Sequence, residues 1–127
     1  METTGISLLL DLHDCKSPAL DNQAVLEELV QSALQFAGFE MVDQVSHRFP
    51  SRAAVIVCVL RDACATLWAR PETGFVSADI YASGKPEAAR AALEIVRGYL
   101  AQKLIARLVN ARVIERGREM GAARTSG

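Results

Sequence analysis

Side chains capable of covalent chemistry lie close together in residues 62–84 of this chain. Cys64 carries a thiol and Thr66 a hydroxyl, and either could act as a nucleophile once a neighbouring base removed its proton. Trp68 cannot be that base, because an indole donates one hydrogen bond and takes up no proton at neutral pH. Ser83 also carries a hydroxyl, which is a far weaker acid than a thiol. Covalent chemistry in this segment would therefore rest on Cys64 or Thr66.

The histidines and cysteines do not have the spacing of a metal site. His13 and His47 have no second ligand nearby, and the three cysteines Cys15, Cys58 and Cys64 form no even framework. We therefore expect no metal ion and reduced thiols, as in a cytoplasmic protein. The apolar run at 8–10 is too short for a signal peptide or a membrane span, so we also expect no membrane association.

Length and charge favour one compact domain without an overall attraction to nucleic acid or membrane. The chain has 127 residues, 50% of them apolar, and a formal net charge of −1. Residues 97–127 are nevertheless basic, with seven Lys or Arg against Glu115 and Glu119. Only Tyr99 supplies an aromatic ring there, so base stacking has little support. The basic region reads as a solvated strand and tail; a surface for an acidic partner protein is the alternative.

The first half of the chain predicts a strand, a helix and two more strands. Ile6, Leu8, Leu10 and Leu12 alternate with their neighbours, as in a strand with one buried face. A helix follows, capped by Asp21 and ended by Gly38. Its inner face is predicted to be Val25, Leu26, Leu29, Val30, Ala33, Leu34 and Ala37. Residues 39–49 read as a strand, and residues 53–60 as a buried strand rich in β-branched side chains.

The second half predicts a hairpin, a helix and a last strand. Residues 64–69 and 75–82 form the hairpin around a turn closed by Gly74, and Pro86 begins the helix. Residues 108–114 read as the last strand. We predict an α+β two-layer sandwich, an antiparallel sheet with two helices on one face. Residues 1–116 would form its single domain, and residues 117–127 a disordered basic tail.

Several segments together resemble the bacterial S-adenosylmethionine decarboxylases. Residues 62–84, D-A-C-A-T-L-W-A-R-P-E-T-G-F-V-S-A-D-I-Y-A-S-G, are similar to that family's E-S-H-I-S-I-H-T-(Y/W)-P-E-x-G-Y-A-A-(V/I)-D-(V/I)-F-T-C-G. The runs at 8–15, 20–22, 47–49 and 115–117 resemble other family segments in the same order. The resemblance implies the same fold and a homodimer with sites near the subunit interface, but a shared fold is a poor warrant for shared activity.

The resemblance also implies which chemical groups this chain lacks. In the family, a serine attacks the preceding carbonyl, and elimination leaves an N-terminal pyruvoyl group that serves as the cofactor. Ala63 stands at the serine and Cys64 at the motif's first histidine. Trp68 stands at the histidine that assists self-cleavage, Val55 at a hydroxyl residue that assists processing, and Ser83 at the cysteine acid. We therefore expect no pyruvoyl group in this chain.

The resemblance also implies a ligand site whose matching residues are present in this chain. Phe49 and Glu72 match positions that hold a nucleoside by a ring against adenine and a carboxylate on the ribose hydroxyls. Trp68 would add a flat surface, and Arg70 could pair with Glu72 or face an anionic ligand. Alternatively, the rings simply fill a vacated pocket and Glu72 is a solvated turn residue.

Three functions remain open at this point. The first is a non-catalytic member of the family with a binding or regulatory role in polyamine metabolism. It would form a homodimer, or a heterodimer with an active paralogue. The second is an enzyme that still decarboxylates S-adenosylmethionine or another amino acid through an unconventional residue such as Thr66. The third is an interaction module that uses the basic C-terminal region.

Overall fold

The computed structural model describes residues 4–117, which fold into one antiparallel sheet backed by two helices. The strands are β1 (Gly5–His13), β2 (Met41–Arg48), β3 (Ala54–Leu60), β4 (Ala63–Arg70), β5 (Phe75–Ser83) and β6 (Leu108–Arg116). A short 3-10 helix (Pro18–Asp21) precedes α1 (Gln23–Phe36), and α2 (Pro86–Lys103) precedes β6. The strand order is β2-β3-β4-β5-β1-β6, and the two-layer α+β prediction is confirmed.

Strand β1 lies inside the sheet and carries the centre of the core. It pairs with β5 on one side and with β6 on the other. Ile6, Leu8 and Leu10 are almost completely buried beneath the helices, as their alternation predicts. The order of the chain therefore brings its first and last strands together.

Helix α1 begins one residue later than predicted. The cap is Asn22, whose side-chain oxygen accepts a hydrogen bond from the backbone N–H of Val25, rather than Asp21. Asp21 instead forms an ion pair with Arg52 at 2.7 Å, which lowers the pKa of its carboxyl. Val25, predicted to face inward, is exposed because it lies off the buried stripe of Leu26, Val30, Ala33 and Leu34. The helix ends before Gly38, which has the predicted left-handed φ of 97°.

Strand β3 is buried on one face only, whereas its sequence predicts burial throughout. Ile56 and Cys58 lie beneath the helices, but Val57 and Val59 are 37% and 46% exposed on the opposite side. We call that uncovered side of the sheet the open face. A continuous β-branched run fits a one-sided strand here because the open face is itself apolar around β3.

The β4–β5 hairpin and its turn are as predicted. Thr66 lies opposite Asp79, and Trp68 opposite Ser77. Gly74 closes the turn with a φ of 70° and packs against the loop after β1, where its carbonyl accepts a hydrogen bond from the backbone N–H of Cys15. A Cβ at Gly74 would lie 3.1 Å from backbone atoms of Cys15.

The C-terminal elements match their predictions with one extension. Pro86 occupies the first turn of α2, and β6 continues two residues past the predicted end, to Arg116. In the part of the chain that the structure describes, neither helix is both long and apolar enough to cross a membrane. The predicted disordered tail lies outside the described residues except for Gly117.

Gly74→Ala should lower the free energy of unfolding by at least about 1–2 kcal/mol, because an L-residue is disfavoured at positive φ and its methyl would press on Cys15. Gly98→Ala is the matched control, since its methyl would meet nothing within 4 Å inside α2. It should stabilise the protein by about 1 kcal/mol. Urea titrations of both variants measure the difference, and equal midpoints would contradict it.

Candidate functional site

In the turn between β3 and β4, one backbone carbonyl oxygen accepts two hydrogen bonds. Asp62 occupies this turn in the left-handed region, with φ 58°. Its carbonyl oxygen accepts hydrogen bonds from the backbone N–H of Ser83, at 3.1 Å, and from the Ser83 hydroxyl, at 2.6 Å. The peptide bond between Asp62 and Ala63 is therefore held against the end of β5.

Ala63 follows that carbonyl and begins β4. It lies opposite Ala82, and by the alternation of the strand its methyl faces the helices along with Ala65 and Leu67. A methyl group has no lone pair with which to attack a carbonyl. The Ser83 hydroxyl is the nearest side-chain oxygen recorded at this carbonyl, and it donates its single proton there.

Val55 and Trp68 form a second pair at the other end of β4. They are directly opposite each other in the register of β3 and β4, on the open face. Trp68 is half-buried, and its ring centroid lies 5.6 Å from that of Phe49. Neither side chain can act as a proton donor or acceptor in acid–base catalysis at neutral pH.

The strand separates these two pairs. Ala63 and Trp68 are five residues apart on β4, so about 16 Å of extended chain lies between them. Their side chains also emerge from opposite faces of the sheet, because the two positions differ in parity. Within one chain, the four predicted catalytic positions therefore form two half-sites: the scission end (Ala63 and Ser83) and the indole end (Val55 and Trp68).

The predicted ligand residues gather at the indole end. The Phe49 ring contacts His47 edge-on, with centroids 4.6 Å apart, and meets Trp68 on another side. The Arg70 guanidinium carbon lies 6.0 Å from the Trp68 ring centroid, in cation–π range. We call His47, Phe49, Trp68 and Arg70 the aromatic cluster.

Glu72 stands slightly apart from the aromatic cluster. It does not form an ion pair with Arg70 within the described residues. Its nearest recorded electrostatic partner is Arg52, whose backbone N–H donates to the Phe49 carbonyl. The ion pair with Asp21 is the main reason that the pKa of Arg52 is raised, and Glu72 adds a smaller contribution. The structure thus brings Phe49, Trp68 and Arg70 into contact and places Glu72 beside the same loop.

A shallow polar depression of about 230 Å3 lies on the open face, and the sequence analysis did not single it out. Its polar lining comes from Ser7, Cys64, Thr66, Asp79, Tyr81 and Arg116. The Arg116 guanidinium donates to the Ser7 hydroxyl at 3.0 Å. The alternation of β5 was the available signal, since it turns Asp79 and Tyr81 away from the core.

The cysteines differ sharply in their surroundings. Burial raises the pKa of the Cys15 and Cys58 thiols to about 11, so both stay protonated at neutral pH. Cys64 is exposed on the open face. Across residues 4–117, no three His, Cys, Asp or Glu side chains converge on a metal-sized site.

The fold and the site define a class: two-layer α+β proteins whose distinctive segment is the β4–β5 hairpin and the turn before it. A family profile described as S-adenosylmethionine decarboxylase matches residues 6–117. This chain belongs to the S-adenosylmethionine decarboxylase family, as its sequence resemblance indicates.

Curated relatives and a solved structure agree with that assignment. The S-adenosylmethionine decarboxylase proenzyme of Methanococcus aeolicus is 29% identical over 100 residues, which cover 79% of this chain and 86% of the relative. The proenzyme of Persephonella marina is 27% identical over 116 residues, 91% of this chain and 84% of the relative. The crystal structure of the adenosylmethionine decarboxylase from Aquifex aeolicus superposes with a TM-score of 0.79 at 22% identity. That match covers 98% of this chain and 100% of the other, and it shows the shared fold.

Proposed function

We propose that this chain is a non-catalytic member of its family that binds or regulates, and that it does not form a pyruvoyl group. The observation that carries the proposal is the methyl group of Ala63 beside a doubly hydrogen-bonded carbonyl. Self-cleavage in the family needs a nucleophilic oxygen at that position, and alanine has none.

Two further substitutions support the proposal. Trp68 can donate a hydrogen bond but cannot accept a proton, and Val55 offers no hydroxyl to assist processing. The Ser83 hydroxyl, a poor acid compared with a thiol, is also committed to the Asp62 carbonyl. Nucleophile, base and acid are thus replaced together, which leaves no route to the cofactor by the family's mechanism.

An unconventional nucleophile at Thr66 is the alternative, and its position disfavours it. Thr66 lies in the middle of β4, opposite Val57 on one side and Asp79 on the other. The peptide bond before it is therefore part of a strand paired on both edges, with no turn to expose its carbonyl. Cleavage there would cut the sheet rather than a connection between strands.

Intact mass under denaturing conditions tests the non-catalytic proposal. We expect one uncut chain of 13.7 kDa and no release of carbon dioxide from S-adenosylmethionine. A self-processing relative, such as the Persephonella marina proenzyme, is the positive control. Two fragments that part within residues 62–66, with a ketone at the new N-terminus, would contradict the proposal.

We also propose that the chain is a homodimer formed through the open face. Val45, Val57 and Val59 are 66%, 37% and 46% exposed there, and Val45 and Val57 are direct neighbours in the register of β2 and β3. A second copy would remove this apolar surface from water, at about 25 cal/mol per Å2. Asp79 and Arg112 lie in the other half of the sheet, and Asp43 borders the valines as the direct neighbour of Val59.

A two-fold arrangement would also reunite the half-sites. If the axis runs across the strands near Thr66, midway between Ala63 and Trp68, the two copies of β4 face each other in opposite directions. The Ser83 hydroxyl and the Asp62 turn of one copy then lie over the indole end of its partner, whereas the Ala63 methyl points toward its own helices. This accounts for family catalytic positions that are about 16 Å apart in a single chain.

Val57→Asp should convert the dimer to monomers, because the new carboxylate would be buried against apolar surface. Sedimentation at several concentrations measures the mass. Val25→Asp is the matched control, since Val25 is exposed on the helical side and its substitution should leave the dimer intact. A wild-type chain that sediments as a monomer at all concentrations would contradict the dimer.

A nucleoside ligand at the aromatic cluster is the second candidate function. Phe49 retains 36% of its surface, and Trp68, Arg70 and Glu72 lie at the same end of the sheet. The contacts of Phe49 with His47 and Trp68 mean that a base would have to stack on the outer side of the cluster.

Calorimetric titration with S-adenosylmethionine and its decarboxylated form tests the nucleoside site. Binding should weaken about tenfold or more in Trp68→Ala, which removes one stacking surface. Tyr99→Ala, on the helical side of the molecule, should leave it unchanged. The absence of measurable heat with the wild-type chain would favour a cluster that only fills space.

A further inference from the structure

Arg70 is the strongly basic member of the aromatic cluster, and within residues 4–117 its guanidinium has no ion pair or hydrogen bond. Every other arginine in that part of the chain except Arg112 donates to a carboxylate, a backbone carbonyl or a hydroxyl. The Arg70 side chain is exposed, so its N–H donors face solvent. Arg70 thus offers a complete set of donors to a ligand.

The Trp68 ring fixes where these donors lie. The guanidinium carbon is 6.0 Å from the ring centroid, and a planar cation that rests on a ring loses little freedom when it binds an anion. Arg70 is also the direct neighbour of Phe75 in the register of β4 and β5, and the Phe75 ring centroid lies 5.3 Å from that of His13. The cation therefore has aromatic neighbours on its own strand and on the next.

The carboxylates at this end of the sheet leave the charge of Arg70 uncompensated. Glu72 lies two residues further along the chain, and its recorded electrostatic interaction is with Arg52. Asp11 lies opposite Ser77 on β1, so the width of β5 separates it from β4. An exposed cation without a carboxylate partner attracts anionic groups from solution, most strongly where an anion can accept two hydrogen bonds from it.

We propose that the aromatic cluster binds an anionic nucleotide, a nucleoside monophosphate, with its base on the Phe49 and Trp68 rings and its phosphate on Arg70. This inference rests on the nucleoside site proposed above and adds the charge of its ligand. The rings present flat surfaces on which any base can stack. The planar guanidinium fits two phosphate oxygens at once, and the phosphate of a nucleotide lies one sugar away from its base.

The charge at position 70 sets this ligand apart from the compound in the relatives' names. S-adenosylmethionine carries a sulfonium cation, and the family motif has an uncharged Tyr or Trp where this chain has Arg70. A sulfonium nucleoside stacked on the cluster would bring its fixed positive charge close to the guanidinium. The arginine therefore favours a ligand of opposite charge at the same rings.

Fluorescence of Trp68 measures binding directly, because it is the single tryptophan of the chain and a base stacked on it quenches its emission. The full-length wild-type chain is titrated with adenosine, with adenosine monophosphate, and with decarboxylated S-adenosylmethionine, which has no anionic group. Adenosine monophosphate should bind about tenfold or more tightly than adenosine, as a charge-assisted contact with two hydrogen bonds predicts. That difference should shrink as salt is added, because ions screen exposed charges.

Arg70→Gln should abolish the preference, so that adenosine monophosphate binds no more tightly than adenosine. It should also strengthen the binding of decarboxylated S-adenosylmethionine about threefold, since two like charges about 6 Å apart in water repel by roughly that factor. Opposite changes for the two ligands cannot arise from a loss of folding. Arg112→Gln is the matched control, because Arg112 is the other arginine of the described residues without a protein acceptor and lies on β6, across the sheet. It should leave all three affinities unchanged.

The three ligands separate this inference from the nucleoside site on which it rests. Equal affinity of the wild-type chain for adenosine and its monophosphate would overturn the inference and leave the nucleoside site intact. A preference that survives Arg70→Gln would overturn it as well, since the phosphate would then be held elsewhere. A preference that Arg112→Gln removes to the same extent would do so too, because the attraction would come from the overall charge of the face. Unquenched Trp68 with all three compounds would contradict the nucleoside site itself.

Discussion

The extended geometry of β4 is the constraint on which the rest of this structure depends. A strand advances about 3.3 Å per residue and alternates its side chains between faces. Five residues therefore place Ala63 and Trp68 far apart and on opposite sides of the sheet. Since the strand is paired along its length with β3 and β5, it cannot fold back to join them. The side chains at these two positions therefore cannot meet within one chain.

The two faces of the sheet differ in how they are covered. The helices cover one face and bury the aliphatic side chains of β1, β3, β4 and β5. The open face combines exposed valines on β2 and β3 with polar side chains on β5, β1 and β6. A surface of this kind, with clustered valines bordered by charged side chains, suits an interface with a defined register better than a solvated face.

The arrangement at Asp62 also stabilises the fold. The left-handed turn and the two donors from Ser83 hold the same peptide group that the family cuts. These contacts also tie β3 to β5, so they serve the fold even when no cleavage follows. The aromatic cluster is similar in this respect, because Trp68 packs on Phe49 and fills space while taking no part in proton transfer.

Most of the fold could be predicted from sequence because its signals are local. Alternation in β1, Gly74 in the hairpin turn and Pro86 at the start of α2 each act within a few residues. The one-sided burial of β3 could not be predicted, because a valine at position 57 or 59 does not indicate which face of the sheet it occupies. Choosing Asn22 over Asp21 as the cap likewise depended on a distant residue, because Arg52 draws Asp21 away.

The arrangement of the candidate site residues could not be predicted from the sequence. The resemblance selected Val55, Ala63, Trp68 and Ser83, yet nothing in a linear motif shows that they divide into two ends of one strand. The hydrogen bond from Ser83 to the Asp62 carbonyl joins residues 21 positions apart. Only the register of β3, β4 and β5 brings these pairs together.

Restoration of the four replaced groups tests the central claim most directly. One variant carries Val55→Ser, Ala63→Ser, Trp68→His and Ser83→Cys together. It should be cut between residues 62 and 63, whereas the wild-type chain prepared alongside it should remain whole. Cutting of the wild-type chain at the same bond would contradict the account.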